Sequence, residues 1–513
     1  MDSFLYAKLA MDAFVAPGSD ATAVLKTLPA DLNGMYNDLL REHTKQSNVL
    51  DDFQLLILQF ITRVTRPLRL LELFDMAKAS HVPFADYDLK EVKGLVRAAC
   101  GPLLEILYDE TVSVVHHSFT EFLKGFTRSK PLDHSTYPIL EAGPTNQRLA
   151  IACMDYLMSG CLDNYEIKKR SKTDELLQSK KAQQSGTRLQ FPFLEYAAAN
   201  WHIHARHAAI AGADMSSFYK TLDDFVANDQ RFIAWLDIDW PKNLIQGLTP
   251  LHVAARTELT QYARYLLQEK NADPNAKSDH GDPPLYWAAL SGYADIEQLL
   301  INNGAEPDGE ANEGYKPLHK AASRNRADVV KVLLAAGVDP LTRKTRDQSG
   351  RWCSNSPTLS GQTPWMYACS KGHTEAVAAF LPYIKDSENL LQGLFWSTGA
   401  GCAACVDLIL QQPGVDVNSM YLGETPLFKA CSNGDRKTIK VLIKAGADPN
   451  ILCDEPQNDI TNMNIGYNGE VNSGSRLIMN QGATLLCMLY AESTVDLHSV
   501  AVGNLKDIAL HSS

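Results

Sequence analysis

The chain has 513 residues, 45% of them hydrophobic and 21% charged, the balance of a globular protein with room for about three or four domains. Its formal net charge is −12, and residues 1–245, 246–450 and 451–513 carry −5, −2 and −5. No part is basic, so general nucleic-acid binding or attachment to an anionic membrane lacks its electrostatic driving force.

Asp2, Lys8 and Asp12 interrupt the first apolar stretch, which therefore does not read as a signal peptide. No apolar run reaches the ~18 residues of a membrane span. Ten cysteines lie scattered, the closest pair being Cys402-x-x-Cys405, a usage that suits a reducing compartment. The expected location is the cytoplasm, with the nucleus as alternative because of the basic run Lys168–Lys181.

In chain order, Phe4–Phe14 reads as one amphipathic helix, and Leu28–Tyr36 as a turn and a second helix continuing through Leu40. Gln54–Val64 predicts a strongly apolar helix. Arg66–Leu73 predicts another, with Pro67 in its first turn. Thr111–Val115 is β-branched and predicts a short strand, after which His116–Leu123 enters a helix. Helices followed by a strand or small hairpin fit a winged-helix-like module over 1–130, with a helical spacer over 131–245.

From Gly247 the sequence repeats itself. Gly247-Leu-Thr-Pro-Leu-His-Val-Ala-Ala255 is echoed at Gly281, Gly314, Gly361 and Gly423, and a degenerate unit over Leu390–Ser419 lacks the Thr-Pro. Thr249, Thr363 and Thr425 stand where a hydroxyl can cap a helix, with a proline next, where a missing N–H costs nothing. Gly292, Asn325, Gly372 and Gly434 fall between two helices, where a left-handed conformation is needed; Glu258 breaks that pattern and predicts a looser first hairpin. A period of ~33 residues with Thr-Pro-Leu-His-x-Ala-Ala resembles the ankyrin repeat family, which implies an α-solenoid of six repeats over 246–450. Thr345–Ser360 and the Asn-rich 451–481 read as loop insertions, and 482–513 as a partial capping repeat. The fold class expected for the whole chain is mainly α.

The first half is similar to the region that follows the nucleotide-binding core in fungal NACHT–ankyrin proteins. Leu28–Tyr36, Arg66–Leu73, Val115–Leu123 and Phe191–Ala197 with Trp201 and His204 carry that resemblance. It implies a part in non-self recognition and signalling, or an accessory role beside a secondary-metabolite pathway. No G-x-x-x-x-G-K-[ST] occurs, so nothing here cradles a phosphate, and a nucleotide switch would need that loop on a separate chain.

Several constellations invite chemistry. The resemblance points at His117 as a diphosphate contact, but without the phosphate loop a capped helix start is expected. His202, His204 and His207 lack a ligand pattern with Cys or carboxylate, so no metal is expected there. Cys402 and Cys405 have no second pair, and are expected to pack rather than react. Trp287, Tyr367 and Trp396 sit one position past the His of the repeat motif and are expected as helix-packing residues, which partial exposure on the concave side would let serve as ligand contacts too. No nucleophile–base pairing emerges, so the chain is expected to be non-enzymatic and free of cofactors.

The expected activity is protein–protein interaction on the concave side of the solenoid. The variable positions beside the repeat frame are the candidate contacts: His280, Asp282, Tyr315, Arg324, Gln362, Lys371, Glu424 and Asn433. Glu306, Asp308, Glu310 and Glu313 place four carboxylates within eight residues. That field predicts a protein partner with a basic surface, with neither nucleic acid nor membrane involved.

Overall fold

The computed structural model describes residues 2–15, 29, 31–47, 51–79, 89–127, 137–163, 190–240, 246–311, 314–343 and 363–451. The two loop insertions, the capping repeat and the Lys168–Lys181 run lie outside the described residues. The chain is predominantly helical and divides into two units, Met1–Ile245 and Gln246–Ser513.

In the first unit the order is α1 (Asp2–Val15), α2 (Leu32–Ser47), α3 (Asp51–Arg63), α4 (Leu70–Ala79), α5 (Leu89–Cys100), β1 (Leu104–Ile106), β2 (Val112–Val114) and α6 (His117–Leu123). Then follow α7 (Ala142–Met158), α8 (Leu194–Ile210), α9 (Ser216–Val226) and α10 (Asp229–Asp239). Helix α7 packs along α8 and also touches α3, α4 and α9. Its buried Leu149, Cys153 and Leu157 share that core with Phe193, Tyr196 and Trp201. β1 and β2 pair antiparallel, Glu105 opposite Ser113.

The helix expected from Arg66 starts later, at Leu70. The backbone before it is committed to the hairpin: Val112 N donates to Leu68 O and Leu70 N to Glu110 O, both at 2.9 Å. Pro67 therefore precedes the helix. Glu72 closes the helix start, accepting from Arg69 N at 2.8 Å and pairing with both terminal guanidinium nitrogens of Arg66. Tyr36 and Ser118, distant in sequence, meet at 2.8 Å, and the Tyr36 ring packs on Phe119 and Phe122.

The second unit is a run of helix pairs: α11 (Pro250–Thr257) with α12 (Thr260–Gln268), α13 (Pro284–Ser291) with α14 (Ala294–Asn302), and α15 (Pro317–Ser323) with α16 (Ala327–Ala335). They continue with α17 (Pro364–Ser370) and α18 (Thr374–Phe380), α19 (Ser387–Gly399) and α20 (Ala403–Leu410), and α21 (Pro426–Asn433) and α22 (Arg436–Lys444). First helices stack on first helices and second on second, so each pair buries its apolar faces against its neighbours.

Thr363 and Thr425 cap as expected, each accepting from the backbone N–H three residues on at 3.2 Å. Glu258 does not loosen its hairpin. It takes the same left-handed conformation as the glycines, at φ 61° and ψ 31°. The degenerate fifth pair has its own logic. Asp386 replaces the Thr cap, accepting from Asn389 N at 3.3 Å. A Cβ on Gly393 would fall 2.3 Å from the buried Trp365 ring, whose Nε1 donates to Asn389 O at 2.8 Å. The large indole in repeat four thus requires the glycine in repeat five.

One core slot breaks the apolar rule. Equivalent positions of the second helices hold Ala263, Glu297, Val330, Val377, Val406 and Ile439, all buried. Both carboxylate oxygens of Glu297 lack a hydrogen-bond partner, and burial raises its pKa well above the ordinary carboxylate range.

Candidate protein-interaction face

Each first helix begins beneath a finger, the turn that links it to the preceding pair. His252 shows how finger and helix are joined. Its Nδ1 accepts from Thr249 N at 3.0 Å and meets Thr249 Oγ1 at 2.8 Å, while Nε2 lies 2.9 Å from Asp282 O. The backbone donor at Nδ1 requires the neutral tautomer with its proton on Nε2. Burial brings the His252 pKa down to about 4.

This joint removes Asp282 from the set of accessible contacts. Asp282 is 5% exposed, its carbonyl accepts from His252 and from Ser278 N, and its N–H donates to Ser278 Oγ. His280 is half-buried beside it.

On the next finger Glu306, Asp308 and Glu310 are exposed. Asp308 is ion-paired with Lys316, whose ammonium also donates to Thr342 Oγ1 at 2.8 Å. Lys316 lies just beyond 306–313 and folds back onto Asp308. By formal charge, Glu306, Asp308 and Glu310 against Lys316 leave the finger net acidic. Its backbone is held by Asn275, which donates to Gly304 O and accepts from Glu306 N, both at 2.9 Å. Glu313 and Gln362 lie outside the described residues.

Tyr315 and its neighbours form a cluster. Lys320 Nζ sits 3.9 Å above the Tyr315 ring and 5.4 Å from that of Tyr286. The Tyr315 hydroxyl is 3.4 Å from that of Tyr367, whose pKa is raised by burial and by that neighbour. Further along, Lys429 lies 5.3 Å from the Phe395 ring and 3.2 Å from Glu424, and Tyr421 packs on Phe395 at 5.2 Å. Lys320 and Lys429 thus lie over aromatic rings, and of the rings gathered here Tyr286, Tyr367 and Phe395 are buried while Tyr315 and Tyr421, just before their helices, are half-buried. Trp287 and Tyr367 are packing residues, as expected, at 1% and 6% exposure, and only Trp396 is half-buried. Neighbouring helices close over the first two.

Arg324, Lys371 and Asn433 are exposed at the C-terminal ends of their first helices, away from the fingers. Asn433 is tied across a repeat, donating to Gly399 O at 3.2 Å. The predicted contacts thus fall into an acidic finger band and a separate band at the helix turns.

In the first unit His117 is exposed, and His116 caps α6, accepting from Ser118 N at 3.3 Å. His204 is fully buried between Tyr196 (2.8 Å) and Asn146 (3.1 Å), and burial lowers its pKa to about 3. Its two ring nitrogens are occupied, which leaves none for a metal. Among the described residues no group of three or more His, Cys, Asp or Glu is placed to hold one, and no helix is long and apolar enough to cross a membrane. Cys431 takes part in a disulfide, so scattered cysteines do not by themselves argue for a reducing compartment.

The family model described as ankyrin repeats matches three times, over residues 226–311, 271–344 and 385–453. Among solved structures the chain is similar to the human ASB11 ankyrin repeat domain, with 21% identity, 47% of this chain and 98% of that one covered, and a TM-score of 0.35. It is also similar to the ankyrin repeat domain of Bcl-3, a member of the IkappaB family, with 22% identity, 41% and 93% covered, and a TM-score of 0.32. No curated protein matches the chain. With the Thr-Pro caps, left-handed turns and paired helices in place, residues 226–344 and 385–453 carry ankyrin repeats.

Proposed function

We propose that the ankyrin array is a non-enzymatic scaffold that binds a protein partner. Ankyrin repeats are in general protein–protein interaction modules. The observation that carries the reading is the juxtaposition of the exposed carboxylates Glu306, Asp308 and Glu310 with the half-buried Tyr315 ring and the Lys320 ammonium above it. Aromatic side chains supply binding area at low entropic cost, and charge at the rim sets encounter rate and partner choice. The partner presents a basic segment to the finger.

The motifs shared with fungal NACHT–ankyrin proteins support a setting in non-self recognition, in the cytoplasm or nucleus. An accessory role in a secondary-metabolite pathway and a switch completed by a separate nucleotide-binding chain are the other settings that resemblance offers. The meeting of Tyr36 with Ser118 ties two of those motifs into one structural unit.

The test is capture from native cell extract by the full chain and by a variant with Glu306, Glu310 and Glu313 changed to Gln and Asp308 to Asn. The variant should lose basic partners, or take them up more slowly, in low salt, with the difference shrinking as salt screens the field. Identical partners at identical rates would remove the finger from the interface.

A further inference from the structure

The second helix of repeat five, α20, begins at a pair of cysteines. Cys402 is its N-cap residue and Cys405 lies one turn in. Their sulfurs are 2.9 Å apart, and Cys402 Sγ also accepts from Cys405 N at 3.4 Å. The Thr374 hydroxyl lies 3.5 Å from one sulfur and 3.4 Å from the other. Cys405 is fully buried, whereas Cys402 is only half-buried, flanked by exposed Gly401 and Ala404. Cys402 Sγ also lies 3.5 Å from Gly372 O, and small residues flank this half-buried cysteine, with Cys405 directly behind it.

Capping alone does not select sulfur here. The equivalent caps of the other repeats are Leu259, Tyr293, Arg326, His373 and Asp435. In the next repeat Asp435 accepts from Lys437 N at 3.1 Å and from the Thr438 hydroxyl, so the same cap-and-turn pair is built with oxygen. An ionised oxygen is a stronger acceptor than a thiol. The site shares none of its described partners with the finger or the ring cluster, so it stands independently of the binding reading above.

The two thiols are also driven apart. Burial raises Cys402, but donation from Cys405, the Thr374 hydroxyl and the backbone N–H groups of Cys405 and Ala404 outweighs it, and the net shift is downward. Cys405 moves upward, by burial first and then by its neighbour. A half-buried thiol shifted toward ionisation, backed by one held protonated, is the division of labour that thiol–disulfide exchange needs.

We propose that Cys402 and Cys405 form a redox-active dithiol that exchanges with a low-molecular-weight disulfide. The Cys402 thiolate attacks one sulfur of the small disulfide, forming a mixed disulfide and expelling one small thiolate. Cys405 then loses its proton to solvent and attacks Cys402 Sγ, and the second small thiolate leaves and is protonated. The protein loses two electrons and two protons, and the small disulfide is reduced to two thiols. Closing the gap to the ~2.05 Å bond takes under 1 Å of sulfur movement. The new bond spans a single turn of one helix, so it constrains that turn and leaves the packing of repeats intact.

The experiment treats the reduced full chain with oxidised glutathione at neutral pH, traps remaining thiols by alkylation and maps them by mass spectrometry. Cys402 and Cys405 should disappear together as an intrachain disulfide. Cys405→Ser should stop at a glutathione adduct on Cys402, and Cys402→Ser should leave Cys405 alkylatable. Circular dichroism establishes that both variants are folded. If Cys402 and Cys405 of the folded wild-type chain both remain alkylatable, or if folded Cys405→Ser takes up no glutathione at Cys402, the proposal is overturned.

Discussion

His252 Nε2 reaches across 30 residues to the carbonyl of Asp282, at 2.9 Å. One neutral ring thereby fastens the first helix of repeat one to the finger of repeat two, while its other nitrogen accepts from Thr249 N. His252 is thus a backbone staple, and the aspartate whose carbonyl it takes is buried.

His252→Leu should lower stability by ~1–3 kcal/mol, because the Asp282 carbonyl and Thr249 N–H lose a buried partner. The wild-type joint also carries a pH dependence. His252 titrates at about 4 in the folded chain and His204 at about 3, both depressed by burial, against ~6.5 unfolded. The unfolded chain binds these protons first, so stability falls as pH drops from ~6.5 toward those folded values. Thermal unfolding of wild type and His252→Gln at neutral and mildly acidic pH checks this; the variant should lose less on acidification.

Glu297 should act in the opposite direction. Its folded pKa is raised, so the folded chain holds a proton that the unfolded chain releases above ~4.3. Stability therefore declines as pH rises from ~4.3 toward the folded value. Glu297→Val, the residue of three equivalent slots, should stabilise by ~1–3 kcal/mol at neutral pH and by less in acid. Denaturant melts of both proteins at two pH values measure it.

Asn275 bridges two fingers through Gly304 O and Glu306 N, and Asn418 repeats the device with Gly446 O at 3.4 Å and Asp448 N at 2.7 Å. Asn275→Ala should cost ~0.5–1.5 kcal/mol per hydrogen bond lost, less where water replaces it. Hydrogen exchange should rise at Glu306 N while helix α14 stays protected.

Lys316 tempers the acidic finger by pairing with Asp308. Lys316→Met should sharpen the negative field and speed encounter with a basic partner at low ionic strength, with little effect at high salt. Surface plasmon resonance with the captured partner reads this directly, and an unchanged on-rate would place that partner elsewhere.

The repeat frame was legible in the sequence because spacing encodes it. Thr-Pro at a helix start and Gly at a left-handed turn are local requirements, and the chain states them at Thr363, Thr425, Gly292 and Gly434 wherever they fall. Burial of a polar residue is not local. Asp282 reads as a variable finger residue until His252 is seen to take its carbonyl, and the burial of Glu297 follows only from the helices stacked on both sides of α14. Pro67 reads as a helix start until Val112 claims the neighbouring carbonyl. Cys402-x-x-Cys405 could be read from the sequence as a pair, but the rotamers that bring the sulfurs to 2.9 Å, one half-buried and one buried, belong to the folded repeat. Sequence determined the order and caps of the helices through short-range backbone preferences; tertiary structure decided which polar groups lost water, because that depends on neighbours some 30 residues away.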